Sequence, residues 1–107
     1  MSAQGIYRSL LQLSKKGAAA CLAILVETRG STPRQVGARM LVFIDGTTFG
    51  SIGGGCGEGI VRSAALRCLV TTRSCELLEV ELTDEMGDKE GDVCGGSMSV
   101  FLEPFGV

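Results

Sequence analysis

The feature that most constrains the fold is a run of three consecutive glycines, Gly53, Gly54 and Gly55, between an apolar segment and a helical pattern. Adjacent glycines contribute no side chain to a core and lose more conformational entropy on folding than other residues do. They are expected where the backbone approaches another group closely. We predict a strand-to-helix loop whose N–H groups form an anion site at the helix start. A tight turn that needs glycine only for steric reasons is the alternative.

Apolar periodicity predicts alternating helices and strands along the 107 residues. One helix is predicted over residues 3–16, and a second follows the glycines with a buried face formed by Ile60, Val61, Ala64, Ala65, Cys68 and Leu69. Strands are predicted over residues 19–27, 39–44, 47–51, 75–82 and 97–103, the last one stopped by Pro104. We therefore predict an α/β fold, a two-layer single domain over residues 1–107, with a mixed sheet of about five strands and two main helices. The third and fourth strands flank the second helix, which predicts that they are parallel.

The composition argues against several classes of function. A net charge of -2, with the basic residues scattered, disfavours nucleic-acid binding. No apolar run is long enough for a membrane helix, and no secretory leader begins the sequence, so we expect a cytoplasmic protein without membrane contact. The sequence has no histidine, which removes histidine-based catalytic arrangements and zinc sites. We therefore expect no metal site built from side chains.

The five cysteines are expected to be reduced thiols, because no tight Cys-x-x-Cys spacing occurs and the number is odd. Cys21 and Cys68 lie in apolar stretches and are predicted to be buried. Cys56 lies at the predicted helix start, where the helix dipole lowers the pKa of a thiol. Glu58 is a candidate proton partner for Cys56. Cys94 lies in a second glycine-rich loop, where an incidental thiol is as good an explanation as a functional one.

Three sequence blocks resemble the XdhC/CoxI family. They are residues 26–34 with 37–42, residues 50–56 with Glu58, and residues 94–96 with 100–104. The resemblance implies binding of the molybdenum cofactor (molybdopterin), support for its sulfuration, and delivery to a xanthine dehydrogenase-type molybdenum hydroxylase apoenzyme. A cysteine desulfurase would supply the sulfur. The implied role is that of an accessory chaperone more than a turnover enzyme, which leaves the assignment as an enzyme open.

The resemblance maps the signature cysteine of the family onto Cys56 and its Cys-Gly-Gly block onto residues 94–96. The residues themselves make Arg34 a candidate phosphate ligand, in a loop that is equally well explained as a solvated surface loop. Candidate catalytic residues are Cys56 and Glu58. Candidate cofactor-binding residues are Arg34, Ser51, Gly53, Gly54, Gly55, Cys56, Cys94, Gly95 and Gly96. If the first, third and fourth strands run in one direction, Arg34, Gly54, Cys56 and Cys94 should line one concave surface.

This sequence departs from the family pattern in two places. Many members carry a second, Rossmann-like domain, so a separate protein with such a domain is a candidate partner, as is a second copy of the chain. Gly57 and Gly59 stand where similar sequences usually have apolar residues or alanine, which predicts a looser helix start. Two alternative functions remain: a thiol-based enzyme or redox protein acting through Cys56, and an oligomerising regulatory domain without cofactor.

Overall fold

The fold is built on a five-stranded sheet with the strand order β3-β2-β1-β5-β4. A computed structural model describes residues 5, 6, 8, 12, 18–30, 35–53, 57–82 and 96–107. The strands are β1 Ala20–Arg29, β2 Arg39–Phe43, β3 Thr48–Gly50, β4 Glu76–Glu81 and β5 Ser97–Phe105. Helix α1, Glu58–Arg67, continues into a π-helical turn, Cys68–Thr72. No helix within these ranges is long and apolar enough to cross a bilayer.

The predicted α/β fold with five strands is confirmed, but the predicted mixed sheet is wrong. Every neighbouring pair of strands is antiparallel. β3 and β4 do run in the same direction, yet they form opposite edges of the sheet. Helix α1 passes over one face between them and contacts β1, β2, β4 and β5. β5 then returns between β1 and β4, so no parallel pair forms.

The central strand β1 is buried on both faces along its first half, as its continuous apolar run predicts. Successive residues of β1 face opposite sides of the sheet. Cys21, Ala23 and Leu25 face the side covered by α1, whereas Ala20 and Leu22 face the other side, which we call the second side. Ile6 packs on the second side. The described residues of the predicted first helix, Gly5, Ile6, Arg8 and Gln12, are helical, and the rest of that segment lies outside the described residues.

Helix α1 begins at Gly57, whose backbone is left-handed with φ 85°. A β-carbon at Gly57 would lie 2.8 Å from Cδ2 of Leu82, so only glycine fits both the dihedral and the packing. Gly57 thus has a conformational reason of its own, and the expected looser helix start stays a prediction. Ile60 was predicted on the buried face but is 44% exposed, because α1 turns Val61, Ala64 and Ala65 toward the sheet.

Strand β5 continues through Pro104 to Phe105, so the predicted stop at Pro104 is also wrong. The last residue of β5 that pairs with β4 is Leu102, whereas Pro104 still pairs with Cys21 of β1. Beyond Leu102, β5 is therefore an edge strand on the β4 side. Proline is tolerated at an edge, where no neighbouring strand needs its missing N–H.

The end of β1 and the start of β5 are in backbone contact at Gly30 and Gly96. A β-carbon on Gly30 would lie 2.8 Å from Cα of Gly96. A β-carbon on Gly96 would overlap the carbonyl oxygen of Arg29, and Gly96 also has a left-handed φ of 87°. The backbone conformation and the space at position 96 thus both require glycine.

The core thiols lie on the face covered by α1. Cys21 and Cys68 are fully buried, as predicted, and both are free thiols, as is the exposed Cys75. Burial raises the pKa of Cys21 and of Cys68 above the ordinary thiol value, and the adjacent Cys68 raises that of Cys21 further. Cys56 and Cys94 lie outside the described residues, so the expectation that all five cysteines are reduced stays a prediction.

We predict that Gly96→Ala destabilises the protein by about 3 kcal/mol or more, because the substitution combines backbone overlap with an unfavourable dihedral. Gly59→Ala is the matched control, since nothing lies within 4 Å of its β-carbon position in α1. That control should be neutral or stabilising by up to about 1 kcal/mol. Urea unfolding measures both changes, and equal stability of the two variants would contradict the analysis.

We also predict that the free energy of unfolding falls as pH rises above 9.0, the ordinary thiol pKa. The folded chain keeps Cys21 and Cys68 protonated while the unfolded chain loses both protons, so stability present at lower pH is lost. Each thiol contributes at most about 1.4 kcal/mol per pH unit. Urea unfolding under reducing conditions should show a shallower dependence of stability on pH for Cys21→Ala than for the wild-type chain. The same slope in both proteins would contradict this assignment.

Candidate functional site

The residues that border three loops meet at one end of the sheet. β1, β3 and β4 run in the same direction, so their carboxyl ends share this end. The N–H of Leu82, just after β4, donates to the carbonyl of Gly96 at 2.9 Å. Gly96 contacts Gly30 after β1, and the side chain of Leu82 contacts Gly57 at the start of α1. Leu82 and Gly96 thus join the borders of all three loops, and we call this end of the sheet the rim.

Four of the predicted site residues lie within the described parts of the chain: Ser51, Gly53, Glu58 and Gly96. The others lie outside them: Arg34, Gly54, Gly55, Cys56, Cys94 and Gly95. In the chain, Cys56 directly precedes Gly57, and Cys94 precedes Gly96 by two residues. The structure brings the bordering glycines to the rim, while a surface shared by Arg34, Gly54, Cys56 and Cys94 stays a prediction.

The Glu58 carboxylate binds the two residues that precede the three glycines. Its Oε2 accepts a hydrogen bond from the Ser51 hydroxyl at 2.5 Å and another from the N–H of Ile52 at 3.3 Å. The N–H of Gly53 donates to Oγ of Ser51 at 3.1 Å. Glu58 also lies in the first turn of α1, where the helix dipole favours a negative charge. Glu58 therefore acts as an internal anion at the start of the helix.

This network changes what the glycine segment can bind. The N–H groups of Ile52 and Gly53 are already used within the protein, so they are not free to hold an external anion. An external anion would have to be held by other donors of the segment or by neighbouring side chains. Glu58 itself has a fixed Oε2 and, among the described residues, no partner for Oε1. Its predicted role as the proton partner of Cys56 stays a prediction.

A cavity of about 430 Å³ lies beside Glu58, between α1 and the β2–β3 hairpin. Its lining residues are Met40, Gly46, Thr47, Thr48, Glu58 and Arg62. Nη1 of Arg62 donates a long hydrogen bond of 3.4 Å to the carbonyl of Gly46 in the hairpin turn. Neither Arg62 nor the cavity was among the features predicted from the sequence. The spacing of Glu58 and Arg62 was the available signal, because residues four apart share one helix face.

The hairpin turn beside the cavity is fixed by Asp45. Its Oδ1 accepts hydrogen bonds from the hydroxyl of Thr47 at 2.6 Å and from the N–H of Thr47 at 2.9 Å. These bonds, the hydroxyl first, hold the pKa of Asp45 below its usual range. Thr47 is thereby held by its hydroxyl and N–H in one orientation at the cavity wall.

The described thiols are poor candidates for chemistry at the rim. Cys21 lies at the amino end of β1, the far end of the sheet from the rim. The raised pKa values of Cys21 and Cys68 keep both protonated, and a protonated thiol is a weak nucleophile. Within the described ranges, no group of three or more Cys, Asp or Glu residues is arranged to hold a metal ion.

Two curated proteins of Escherichia coli (strain K12) are similar to most of this chain. The uncharacterized protein YqeB is 36% identical over 102 residues, which cover 95% of this chain and 18% of YqeB. PaoD, a molybdenum cofactor insertion chaperone, is 33% identical over 100 residues, which cover 91% of this chain and 30% of PaoD. The chain thus spans less than a third of either relative.

A crystal structure of a xanthine dehydrogenase from Bacillus halodurans has a similar fold, with a TM-score of 0.71 and 29% sequence identity. The match covers 91% of this chain and 29% of that one. The family model of the XdhC and CoxI family matches residues 13–81, which is well over half of the chain. The matched region includes Ser51, Cys56 and Glu58, the candidate residues around the glycine segment. The chain belongs to the XdhC and CoxI family.

Proposed function

We propose that this chain binds the molybdenum cofactor and delivers it to a molybdenum hydroxylase of the xanthine dehydrogenase type during maturation of that enzyme. The observation that carries the proposal is the membership in the XdhC and CoxI family together with 33% identity to the chaperone PaoD. A fold alone does not imply a function, so the sequence relationship has more weight than the sheet topology. The role is that of an accessory chaperone in the cytoplasm.

The residues that line the cavity beside Glu58 fit part of such a cofactor. Molybdopterin combines a flat, polar pterin ring with an anionic phosphate. The cavity beside Glu58 offers a carboxylate oxygen without a described partner, a guanidinium group and two hydroxyls on Thr47 and Thr48. Its volume of about 430 Å³ lies within the range of small-molecule sites. The groups present therefore match the polar ring.

Each part of the site has a distinct task in this proposal. Ser51 and Glu58 hold the start of the glycine segment, so that the backbone of Gly53, Gly54 and Gly55 can approach the cofactor without side chains in between. Arg34 binds the phosphate. Cys56 and the segment of Cys94, Gly95 and Gly96 would hold the metal or its sulfur. When bound, the cofactor supplies the molybdenum centre on which the hydroxylase depends.

Sulfuration of the cofactor and its release to the apoenzyme follow binding. The chain holds the cofactor while a cysteine desulfurase provides sulfur, and then releases it to the apoenzyme. The Rossmann-like domain found in many family members comes from a separate protein or from another part of the same protein. A second copy of the chain is a further candidate partner.

We predict that Cys56→Ser weakens binding of the molybdenum cofactor by about tenfold or more, the effect of losing one contact to a charged group. Cys75→Ser is the matched control, because Cys75 is exposed and lies at the start of β4, away from the rim. Fluorescence titration of the purified chain with cofactor measures both affinities. Equal affinities would show that the Cys56 thiol has no special role.

The same samples distinguish the two alternative functions. Alkylation rates measured across a range of pH report the pKa of the Cys56 thiol. A reactive, low-pKa Cys56 in a chain without affinity for the cofactor would support a thiol-based enzyme. A chain with neither property would support an oligomerising regulatory domain.

A further inference from the structure

The two charged walls of the cavity, Glu58 and Arg62, are one helical turn apart and do not form an ion pair within the described residues. Each side chain reaches a different end of β3 instead. Glu58 binds Ser51, just after the strand, and Arg62 binds the carbonyl of Gly46, just before it. The space between a carboxylate and a guanidinium therefore stays open along the length of β3.

Both walls keep unused hydrogen-bonding capacity. Oε1 of Glu58 has no partner among the described residues, and Oε2 accepts the bonds from Ser51 and Ile52. Arg62 uses one of its five N–H donors, in a long bond. Met40 is buried and is one of the residues that line the cavity. Methionine side chains make favourable contacts with aromatic rings. The cavity thus combines a carboxylate acceptor, the N–H donors of a guanidinium group and an apolar side chain.

One class of flat ring matches this arrangement of donors and acceptors. A fused 2-amino-4-oxopyrimidine ring presents an amino group and a ring N–H side by side, and a carbonyl oxygen and a ring nitrogen on the adjoining edge. A carboxylate accepts from the first edge. An arginine donates to the carbonyl oxygen of the second edge and, where the ring nitrogen carries no hydrogen, as in guanine and in oxidised pterins, to that nitrogen as well. Side chains four residues apart on a helix are about 5–6 Å apart at Cβ, which suits two adjoining edges of one ring.

We infer that the cavity binds a fused 2-amino-4-oxopyrimidine ring, with Glu58 on its donor edge and Arg62 on its acceptor edge. This inference rests on the proposed function, because the pterin of the molybdenum cofactor carries this ring. It deepens that function by assigning the pterin to the groove between α1 and the β2–β3 hairpin. Guanine presents the same two edges and is the other source of this chemistry.

The first test compares ring chemistry on the full wild-type chain by fluorescence titration and calorimetry. The probes are 6-carboxypterin and 6-carboxylumazine, which differ at position 2, where the pterin has an amino group and the lumazine a carbonyl oxygen. The pterin should bind about tenfold more tightly, because lumazine places an acceptor opposite the Glu58 carboxylate. Equal binding of the two would overturn the inference.

The second test compares variants with matched controls. Glu58→Gln keeps an oxygen for Ser51 but turns an amide donor toward the donor edge, so pterin affinity should fall about tenfold; Glu81→Gln, exposed on β4, should not change it. Arg62→Gln should also weaken binding about tenfold, whereas Arg67→Gln, exposed in the last turn of α1, should not. Circular dichroism checks folding. Pterin affinity unchanged in both Glu58→Gln and Arg62→Gln would overturn the inference.

Two further comparisons show whether the ring comes from a pterin or a guanine nucleotide, and whether a negative result contradicts the cavity inference or the proposed function. Tighter binding of 6-carboxypterin than of guanosine monophosphate supports the pterin assignment, and the reverse order assigns the cavity to a guanine nucleotide and overturns the pterin assignment. Cofactor binding that depends on Cys56 but not on Glu58 or Arg62 would overturn the cavity inference alone. Selective pterin binding in a chain that does not bind the whole cofactor would overturn the proposed function and support the inference that the cavity binds the ring.

Discussion

The backbone contact between Gly30 and Gly96 determines where the loops of this chain come together. β1 is the central strand, so a contact at its carboxyl end connects the two halves of the sheet. Because neither residue has a side chain, the chain can pass this point at van der Waals distance and still leave the Gly96 carbonyl free to accept from Leu82. Leu82 in turn packs against Gly57. One glycine pair thus sets the distance between β1, the end of β4 and the start of α1.

The Glu58 carboxylate has a comparable role in the glycine segment. A flexible run of glycines has high conformational entropy, and it needs fixed ends if it is to present its backbone in one place. Ser51 and Ile52 supply one fixed end through their bonds to Oε2, and Gly57 supplies the other through its left-handed turn against Leu82. The described residues on both sides of the segment are therefore held by contacts within the protein. Fixed flanking residues lower the entropic cost of binding a ligand between them.

The sequence predicted which segments form strands and helices better than it predicted which strands lie side by side. The buried β1, the buried Cys21 and Cys68 and the common direction of β3 and β4 follow from periodicity and chain connectivity. The position of β5 between β1 and β4 does not, because periodicity reports which face of a strand is apolar and not which strand lies beside it. Pro104 shows the same limit, since its tolerance depends on where β4 ends. At the site, the glycine segment was evident from composition, whereas the cavity at Arg62 depends on a tertiary approach of α1 to the hairpin.

The bonds from Ser51 and Ile52 to Glu58 and the open cavity have a common energetic cause. An exposed Glu–Arg pair four residues apart on a helix is worth about 0.3–0.5 kcal/mol, because solvent screens it and ordering two long side chains costs entropy. A hydrogen bond to a charged group contributes about 1.5–3 kcal/mol, and Glu58 accepts two from the end of β3. The carboxylate therefore turns toward Ser51 and away from Arg62. In this orientation Glu58 binds Ser51 and Ile52, and the Arg62 guanidinium binds the hairpin carbonyl of Gly46. The space between the two side chains stays open for a ligand.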